Sequence, residues 1–207
     1  MNNNKNISPF TDFVSLVKRA RVFATEAHKG VYRKGKDENG NKLEYITHPV
    51  AVGKILHTYK KSHRIAVLVA VAMLHDTVED CPPTSFADIE HRFGPEIASI
   101  VRELTDDKNL PKSERKQLQV INAAKKSHTA CLVKIADKTS NLNSLAKSPP
   151  ADWSYERRSE YVIWAATVVN ALPFKPVGVL KRFLIALDQA EIANAENCLT
   201  TRQAQGV

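Results

Sequence analysis

Apolar residues recur along most of this chain with the period of a helix. From residue 8 to residue 30, from 128 to 145 and from 153 to 172, they return every three or four positions, and glycines or prolines stand near the ends of these stretches. No stretch of useful length alternates apolar and polar residues as a half-buried strand does. The pattern therefore predicts an all-α protein, with a polar, charged loop from Val31 to Thr47.

The predicted helices belong to one domain. With 207 residues, of which 43% are hydrophobic and 25% charged, the chain has the size and composition of a single globular domain. The polar segment 1–7 predicts a disordered tail. The last helix is expected from Val177 to about Asn197, which gives a domain at 8–198 and a C-terminal tail at 199–207.

One predicted helix, Ile65–Asp80, differs from the others. Its first ten residues are all apolar, which is typical of a helix buried on every side. It ends with His75, Asp76, Glu79 and Asp80. In a regular helix His75 and Glu79 share one face, and Asp76 and Asp80 share another. Because unpaired charges are costly to bury, such carboxylates are usually paired, neutralised or bound to a metal.

Two imidazoles and two carboxylates lie within or at the ends of the apolar helices, namely His48, His75, Asp76 and Asp137. Together they would form a site of nitrogen and oxygen ligands that suits Mn, Fe, Zn or Ni. With positions left for water and a substrate oxygen, such a site supports metal-assisted hydrolysis. The alternative is an ordinary core histidine beside a solvated helix terminus. The additional carboxylates at the end of so apolar a helix favour the metal site.

The three cysteines, Cys81, Cys131 and Cys198, are scattered and show no paired spacing. Neither a disulfide framework nor a cysteine zinc site is predicted, and a reduced, cytoplasmic setting is expected. The N-terminus has no apolar segment of the secretory type, and the apolar run of the central helix is too short to cross a bilayer.

The formal net charge of +8 favours anionic partners. A phosphate-rich small molecule and a nucleic acid both fit that charge, but no helix-turn-helix, zinc-finger or RNA-binding motif supports the nucleic acid. The alternative is a basic surface that serves solubility alone.

Several short motifs resemble the hydrolase (HD) domain of RelA/SpoT homologues. The two most specific are His75-Asp-Thr-Val-Glu-Asp80 and Lys134-Ile-Ala-Asp137-Lys-Thr-Ser-Asn141-Leu142, and the resemblance extends from about His28 to Tyr161. The other matching motifs are His28-Lys-Gly30, Arg33-Lys34, Tyr45-Ile-Thr-His48-Pro49, Phe93-Gly94, Leu104-Thr-Asp-Asp107 and Glu114-Arg-Lys116. The chain is identified as a stand-alone small alarmone hydrolase, similar to the metazoan SpoT homologue.

The resemblance implies an HD-domain helical bundle that hydrolyses the 3′-pyrophosphate of (p)ppGpp to GDP or GTP and pyrophosphate, normally with Mn²⁺. The implied metal ligands are His48, His75, Asp76 and Asp137. Glu79 and Asp80 would orient or deprotonate the attacking water. Glu79 is preferred as the base because it shares a helix face with His75 in the predicted helix.

Six residues are expected to bind the substrate: Arg33, Lys34, Lys112, Asn141, Arg157 and Tyr161. The basic residues among them would contact phosphate or stack on the base, and Asn141 would bond the ribose. The alternatives are solvated loop charge, a surface pair, and an asparagine that bonds its own helix. Trp153 and Trp164 are expected in the core rather than against the substrate.

One segment departs from the family pattern. The stretch from Gly35 to Glu44 is longer than in the long bifunctional enzymes, and this loop borders the base in the family. Adenosine alarmones and the 2′-phosphate of NADPH therefore remain alternative substrates, and a non-catalytic alarmone-binding protein is a further alternative. The expected partner is a nucleotide, not a nucleic acid or a membrane. A homodimer and functional pairing with an alarmone synthetase are left open.

Overall fold

The computed structural model describes residues 9–59 and 64–204, and within them the side chains of 14–59 and 64–198. The tail predicted at residues 1–7 lies outside this part of the chain. Within it, the all-α prediction is confirmed for the bundle, which consists of α1 Pro9–Ala27, α2 Thr47–His57, α3 Ile65–Leu74, α4 Thr77–Asp80, α5 Phe86–Phe93, α6 Pro95–Leu104, α7 Lys112–Ala123, α8 His128–Lys147, α9 Tyr155–Ala171 and α10 Val177–Ala204.

The segment predicted as a loop between α1 and α2 is instead a β-hairpin. Strand β1, Tyr32–Lys36, pairs antiparallel with β2, Lys42–Glu44. The turn is closed by Asp37, whose carboxylate accepts hydrogen bonds from the backbone amides two and four residues later, and Gly40 supplies a backbone with a φ of +82°. Since the strands are short and mostly polar, they carry no apolar alternation that would have predicted them.

The prediction of one continuous helix from Ile65 to Asp80 was wrong in one respect. The helix is interrupted at His75 and Asp76, between α3 and α4. At this point two side chains donate hydrogen bonds to backbone carbonyls near the end of α3. His75 Nδ1 donates to the Ala72 carbonyl at 2.8 Å, and the Thr77 hydroxyl donates to the Leu74 carbonyl at 2.7 Å. The regular helix geometry assumed from Ile65 to Asp80 is therefore interrupted at these two residues.

Two further details differ from the expected helices. Helix α10 continues to Ala204, beyond the predicted end near Asn197, so residues 199–204 extend the helix. On α9, the helical spacing of the apolar residues predicts that Val162, Ile163 and Val169 face inward, but Ile163 is 66% exposed, while Val162 and Val169 are buried. No helix within the described residues combines the length and hydropathy needed to cross a membrane.

Three helices form the centre of the bundle and position the polar residues. Helices α2, α3 and α8 all pack against one another. The apolar face of α3 is buried as expected, and α8 is buried along most of its middle, from Ala130 to Ser140. The buried polar side chains of these helices therefore face one another instead of solvent.

Candidate metal centre and adjoining cavity

Three buried side chains, from α2, from the residue that follows α3 and from α8, meet inside the bundle. One ligand atom each from His48, His75 and Asp137 lies within 4.8 Å of the other two. The Nε2 atom of His48 is 3.2 Å from Asp137 Oδ1. These residues, separated by up to 89 positions in sequence, thus form one compact cluster, called here the central cluster.

Asp76, the fourth predicted ligand, borders the central cluster. Its Oδ2 atom lies 3.2 Å from His75 Nε2 and 3.6 Å from His48 Nε2. The same oxygen accepts a hydrogen bond from the Tyr45 hydroxyl at 2.9 Å. The structure therefore brings all four predicted ligands together, at the break between α3 and α4.

The Nδ1 atoms of the two imidazoles are both hydrogen-bonded, which leaves their Nε2 atoms to bind a metal ion. His48 Nδ1 is hydrogen-bonded to the Ser140 hydroxyl at 3.1 Å, and His75 Nδ1 donates to the Ala72 carbonyl. Among the described residues, buried His75 Nε2 has no hydrogen-bond partner, although it lies close to Asp76. Metal-binding histidines are held in this way through their second nitrogen, so the residues present fit a divalent metal ion.

The two imidazoles differ in their pKa. Burial lowers the pKa of His48 below its ordinary value, although Asp137 and Asp76 oppose that shift. Burial also disfavours the charged form of His75, but the negative charges of Asp76 and Asp137 outweigh it and raise the pKa of His75 from 6.5 to about 9. In the metal-free protein at neutral pH, His75 therefore carries a proton on the side that faces the carboxylates.

Asp137 is paired with two buried lysines on its own helix. The Oδ2 atom lies 3.4 Å from Lys138 Nζ and 4.0 Å from Lys134 Nζ, and Asn141 donates to Oδ1 at 2.7 Å. Although burial opposes the charge, Lys138 and a hydrogen bond from His48 hold the pKa of Asp137 well below its usual range. Asp137 is therefore ionised without any metal.

The two predicted catalytic carboxylates both approach Lys108 but differ in their other partners. Glu79 Oε2 accepts a hydrogen bond from the Asp106 backbone amide at 3.0 Å, and Oε1 lies 3.5 Å from Lys108 Nζ and 3.8 Å from Arg115 NH1. Burial, with the charge of Asp106, raises the pKa of Glu79. Asp80 accepts a hydrogen bond from Lys108 Nζ at 2.6 Å. The preference for Glu79 assumed one regular helix through His75 and Glu79, and that helix is interrupted at His75 and Asp76.

A cavity of about 850 Å³ lies between the hairpin, the C-terminal half of α8 and the start of α9. Tyr45 and Asn141 form part of its wall, and their polar groups bond Asp76 and Asp137, so the cavity adjoins the central cluster. Among the described residues, the lining includes Asp80 but not Glu79. The remaining wall combines apolar residues with charged residues of the hairpin.

Four of the six predicted substrate residues line this cavity: Arg33, Lys34, Asn141 and Tyr161. Arg33 donates a hydrogen bond to Asn141 Oδ1 at 2.9 Å, which links the hairpin to α8. Burial, together with the negative charge of Asp137, raises the pKa of Tyr161 above its ordinary value. Asn141 thus contacts both a predicted substrate residue and a predicted metal ligand.

The other two predicted substrate residues lie around Trp153, which also lines the cavity. Lys112 Nζ and the guanidinium carbon of Arg157 lie 6.0 Å and 4.8 Å from the centre of the Trp153 ring. Burial and the positive charges of Arg157 and Lys34 lower the pKa of Lys112. Trp153 packs against the hydrophobic core as expected, and it also lines the cavity with two cations close to its ring.

Sequence reasoning assigned no role to several residues of the site. Tyr45 and the two buried lysines, Lys134 and Lys138, lie within the quoted motifs but were given no function. A lysine inside a helix that is otherwise buried requires an anionic partner, and that signal was present in the sequence. Lys108 is different, because it comes from the connection between α6 and α7 and only the fold brings it to Asp80.

The fold and the site together define a class of protein. Residues 20–167 match the family model described as "HD domain". The chain is 46% identical over 158 residues to guanosine-3′,5′-bis(diphosphate) 3′-pyrophosphohydrolase MESH1 of Xenopus tropicalis, an alignment that covers 76% of this chain and 85% of that protein. The MESH1 protein of Homo sapiens is 44% identical over 153 residues, covering 74% of this chain and 82% of that protein.

A solved structure gives the same result. The structure described as "A metazoan ortholog of SpoT hydrolyzes ppGpp and plays a role in starvation responses" matches with a TM-score of 0.76 and 36% identity, covering 84% of this chain and 95% of that chain. The chain therefore belongs to the HD-domain family and, within it, to the branch of RelA/SpoT-related hydrolase domains that contains the MESH1 proteins.

Proposed function

We propose that this protein is a metal-dependent hydrolase that removes the 3′-diphosphate of guanosine 3′,5′-bis(diphosphate) as pyrophosphate. The observation that carries this proposal is that the central cluster adjoins a cavity with cations along its wall and rim. The guanosine substrate is supported by the MESH1 relatives, which are named guanosine-3′,5′-bis(diphosphate) 3′-pyrophosphohydrolases. GTP-derived and GDP-derived forms of the alarmone differ only at the 5′ end, and both would present the same 3′-diphosphate.

The residues that would hold a divalent metal are His48, His75, Asp76 and Asp137, and we propose Mn²⁺ as the ion. Two imidazoles and two carboxylates suit a divalent metal of this type, although other divalent ions have the same ligand preferences. When bound, such an ion would polarise the phosphoryl group and make a water molecule more acidic. Lys134 and Lys138 would hold the Asp137 carboxylate in place through its Oδ2 atom.

The cations of the hairpin and of α7 and α9 would bind the phosphates. Lys34, Lys112 and Arg157 lie around Trp153 and Asp152, and partial burial together with the charges of its cationic neighbours lowers the pKa of Lys112. A diphosphate placed among them would relieve their mutual repulsion. Arg33, Asn141 and Tyr161 would orient the nucleoside beside the central cluster.

We propose that Asp80 is the general base that activates the attacking water. Its carboxylate lines the cavity and is held by Lys108, whereas Glu79 is engaged by the Asp106 amide. Asp80 would accept the proton of the water as it attacks the phosphorus bonded to the 3′ oxygen. The bond between that phosphorus and the 3′ oxygen breaks, pyrophosphate leaves, and the 3′ oxygen takes up a proton. Glu79 would act with Asp80 by holding Lys108 near it.

The other expectations from the sequence stay predictions. The partner of the site is a nucleotide small molecule, and a homodimer or functional pairing with an alarmone synthetase would have to be found by experiment. A cytoplasmic setting accords with three cysteines that are all unbridged in the structure.

The decisive experiment measures product formation from ppGpp, ppApp and NADPH in parallel, first with Mn²⁺ and then with a chelator. We expect pyrophosphate from ppGpp that disappears with the chelator and with the Asp76→Ala variant. Asp188→Ala, which removes an exposed carboxylate on α10, is the matched control and should keep full activity. Turnover of ppApp or NADPH alone would assign another substrate, and no turnover despite bound metal would indicate a binding protein.

A further inference from the structure

One side chain connects the wall of the cavity to the border of the central cluster. The Tyr45 hydroxyl donates a hydrogen bond to Asp76 Oδ2 at 2.9 Å. The same carboxylate oxygen lies 3.2 Å from His75 Nε2 and 3.6 Å from His48 Nε2. The ring edge of Tyr45 also packs near His48, with ring centres 5.9 Å apart. Tyr45 therefore touches two of the four candidate ligands without being a ligand itself.

The ring of Tyr45 is held in place by His28. The two rings are stacked, with centres 4.8 Å apart and planes that differ by only 9°. His28 is buried, and its Nδ1 atom donates to the Ala24 carbonyl at 2.9 Å, which fixes the imidazole on the last turn of α1. In the part of the chain that the structure describes, its Nε2 atom has no hydrogen-bond partner. Among the described residues, His28 thus contacts Tyr45 through the stacked rings, and its Nε2 atom bonds no further polar group.

Asp76 needs such support because of where it lies. It is in the break between α3 and α4, so regular helix geometry does not set its side-chain direction. The side chain is 17% exposed, which is more than the 2% of His48 and His75 or the 9% of Asp137. A hydrogen bond from a fixed donor restricts the rotation of the carboxylate and keeps Oδ2 directed toward both imidazoles.

We propose that Tyr45 is a positioning residue of the metal centre, which orients the Asp76 carboxylate through its hydroxyl and is itself held by stacking on His28. The proposal rests on the metal site of the proposed function but not on the identity of the substrate. Groups that support a metal ligand typically change metal affinity by about 10- to 100-fold when they are removed. Tyr45 should therefore affect metal binding more than substrate binding.

The experiment is a Mn²⁺ titration of the metal-free protein without nucleotide, by calorimetry or by the electron spin resonance signal of free Mn²⁺. Tyr45→Phe removes the hydroxyl and leaves the ring. We expect its Mn²⁺ Kd to rise by about 10- to 100-fold, with thermal unfolding of the metal-free protein unchanged. Tyr59→Phe is the matched control, since it removes a hydroxyl from another partly buried tyrosine at the end of α2, and it should bind Mn²⁺ like the unchanged protein.

Two further measurements separate positioning from a general structural role. Saturating Mn²⁺ should restore kcat of Tyr45→Phe while KM for the nucleotide stays within about twofold of the original, because only the occupancy of the metal centre is impaired. His28→Ala keeps the hydroxyl but removes the stack, and it should weaken Mn²⁺ binding in the same direction. An unchanged Mn²⁺ Kd in Tyr45→Phe would overturn the proposal. Weaker Mn²⁺ binding in a protein that hydrolyses no ppGpp would support it and reject the proposed substrate instead.

Discussion

The side-chain amide of Asn141 donates a hydrogen bond to Asp137 Oδ1 at 2.7 Å, one helical turn after it on α8. The carbonyl oxygen of the same amide accepts a hydrogen bond from Arg33 on the hairpin. Asn141 thus joins a candidate metal ligand to a candidate substrate contact. The residue expected from the sequence to bond the ribose thus also bonds protein groups, through both its amide nitrogen and its amide oxygen.

The first prediction concerns this amide. Asn141→Ala removes one donor to Asp137 Oδ1 and the nearer of two acceptors of Arg33, so both Mn²⁺ affinity and kcat/KM should fall, the affinity by about 10- to 100-fold. Calorimetric Mn²⁺ titration and initial rates with ppGpp measure the two effects. Asn143→Ala is the control, because Asn143 lies on the same helix but lines a different cavity, between α2, α8 and α10. Equal effects of the two substitutions would mean that only the stability of α8 has changed.

The second prediction concerns the buried charges around Asp137. Asp137→Ala should abolish metal binding and activity, and it should also destabilise the metal-free protein by about 3–5 kcal/mol, because Lys138 and Lys134 then remain buried without their anion. Chemical denaturation gives the free energy of unfolding. Adding Lys138→Met should recover part of the stability but none of the metal binding. If Asp137→Ala alone kept its stability and its full metal content, Asp137 would be neither a metal ligand nor the anion that stabilises the two buried lysines.

The third prediction separates the two carboxylates that follow the helix break. Asp80→Asn should keep the metal and lower kcat by about a hundredfold to ten-thousandfold, as expected when a general base is removed. Glu79→Gln should also keep the metal but lower kcat less, since Glu79 acts through Lys108 and the Asp106 amide. Metal content and single-turnover rates of both variants are the readouts. A larger loss in Glu79→Gln would return the role of the base to Glu79.

The fourth prediction concerns the docking of the hairpin on α8. A Cβ atom at Gly35 would lie 2.5 Å from the Ser148 carbonyl oxygen, and the adjacent Lys36 amide donates to the Ser148 hydroxyl at 2.9 Å. Gly35→Ala should therefore push the hairpin away and displace Arg33 and Lys34, with a loss in kcat/KM of up to about 100-fold. Steady-state kinetics and Mn²⁺ titration test this, since metal affinity should change little.

Gly178→Ala provides the control for that substitution. A Cβ atom there meets no other atom within 4 Å, so the kinetics should stay as they are. If Gly35→Ala behaved like Gly178→Ala, the hairpin would not need its close contact with Ser148 to bind substrate.

The fifth prediction concerns pH. The pKa of His75 in the metal-free protein is raised from 6.5 to about 9, so the charged imidazole stabilises the metal-free fold fully below pH 6.5, and this contribution is lost as the pH rises through 9. A metal ion must displace that proton. Its apparent affinity should therefore increase by about tenfold per pH unit between pH 7 and 9.

Calorimetry in two buffers of different ionisation enthalpy measures the released proton directly. We expect about one proton per bound Mn²⁺ at neutral pH, because His48 is already neutral there. Metal binding that released no proton and did not depend on pH would show that His75 is not a ligand.

The sequence by itself determined the helical bundle and the identity of the candidate ligands. The apolar run before His75 cannot be exposed, and a carboxylate such as Asp137 within a buried helix needs a cation, so local composition was sufficient to single these residues out. The sequence Ser85-Phe-Ala-Asp88 is a weak capping-box pattern, and the structure forms that capping box at the start of α5.

Only the tertiary structure decided how the side chains around those ligands are arranged. The break at His75 and Asp76 is accompanied by two side-chain bonds to backbone carbonyls, which helical periodicity does not reveal, and it interrupts the helix whose shared face had favoured Glu79. The stack of His28 on Tyr45 and the approach of Lys108 to Asp80 join segments that are distant along the chain. Such contacts are fixed by how the helices pack against one another, and a sequence pattern specifies only which face of each helix is buried.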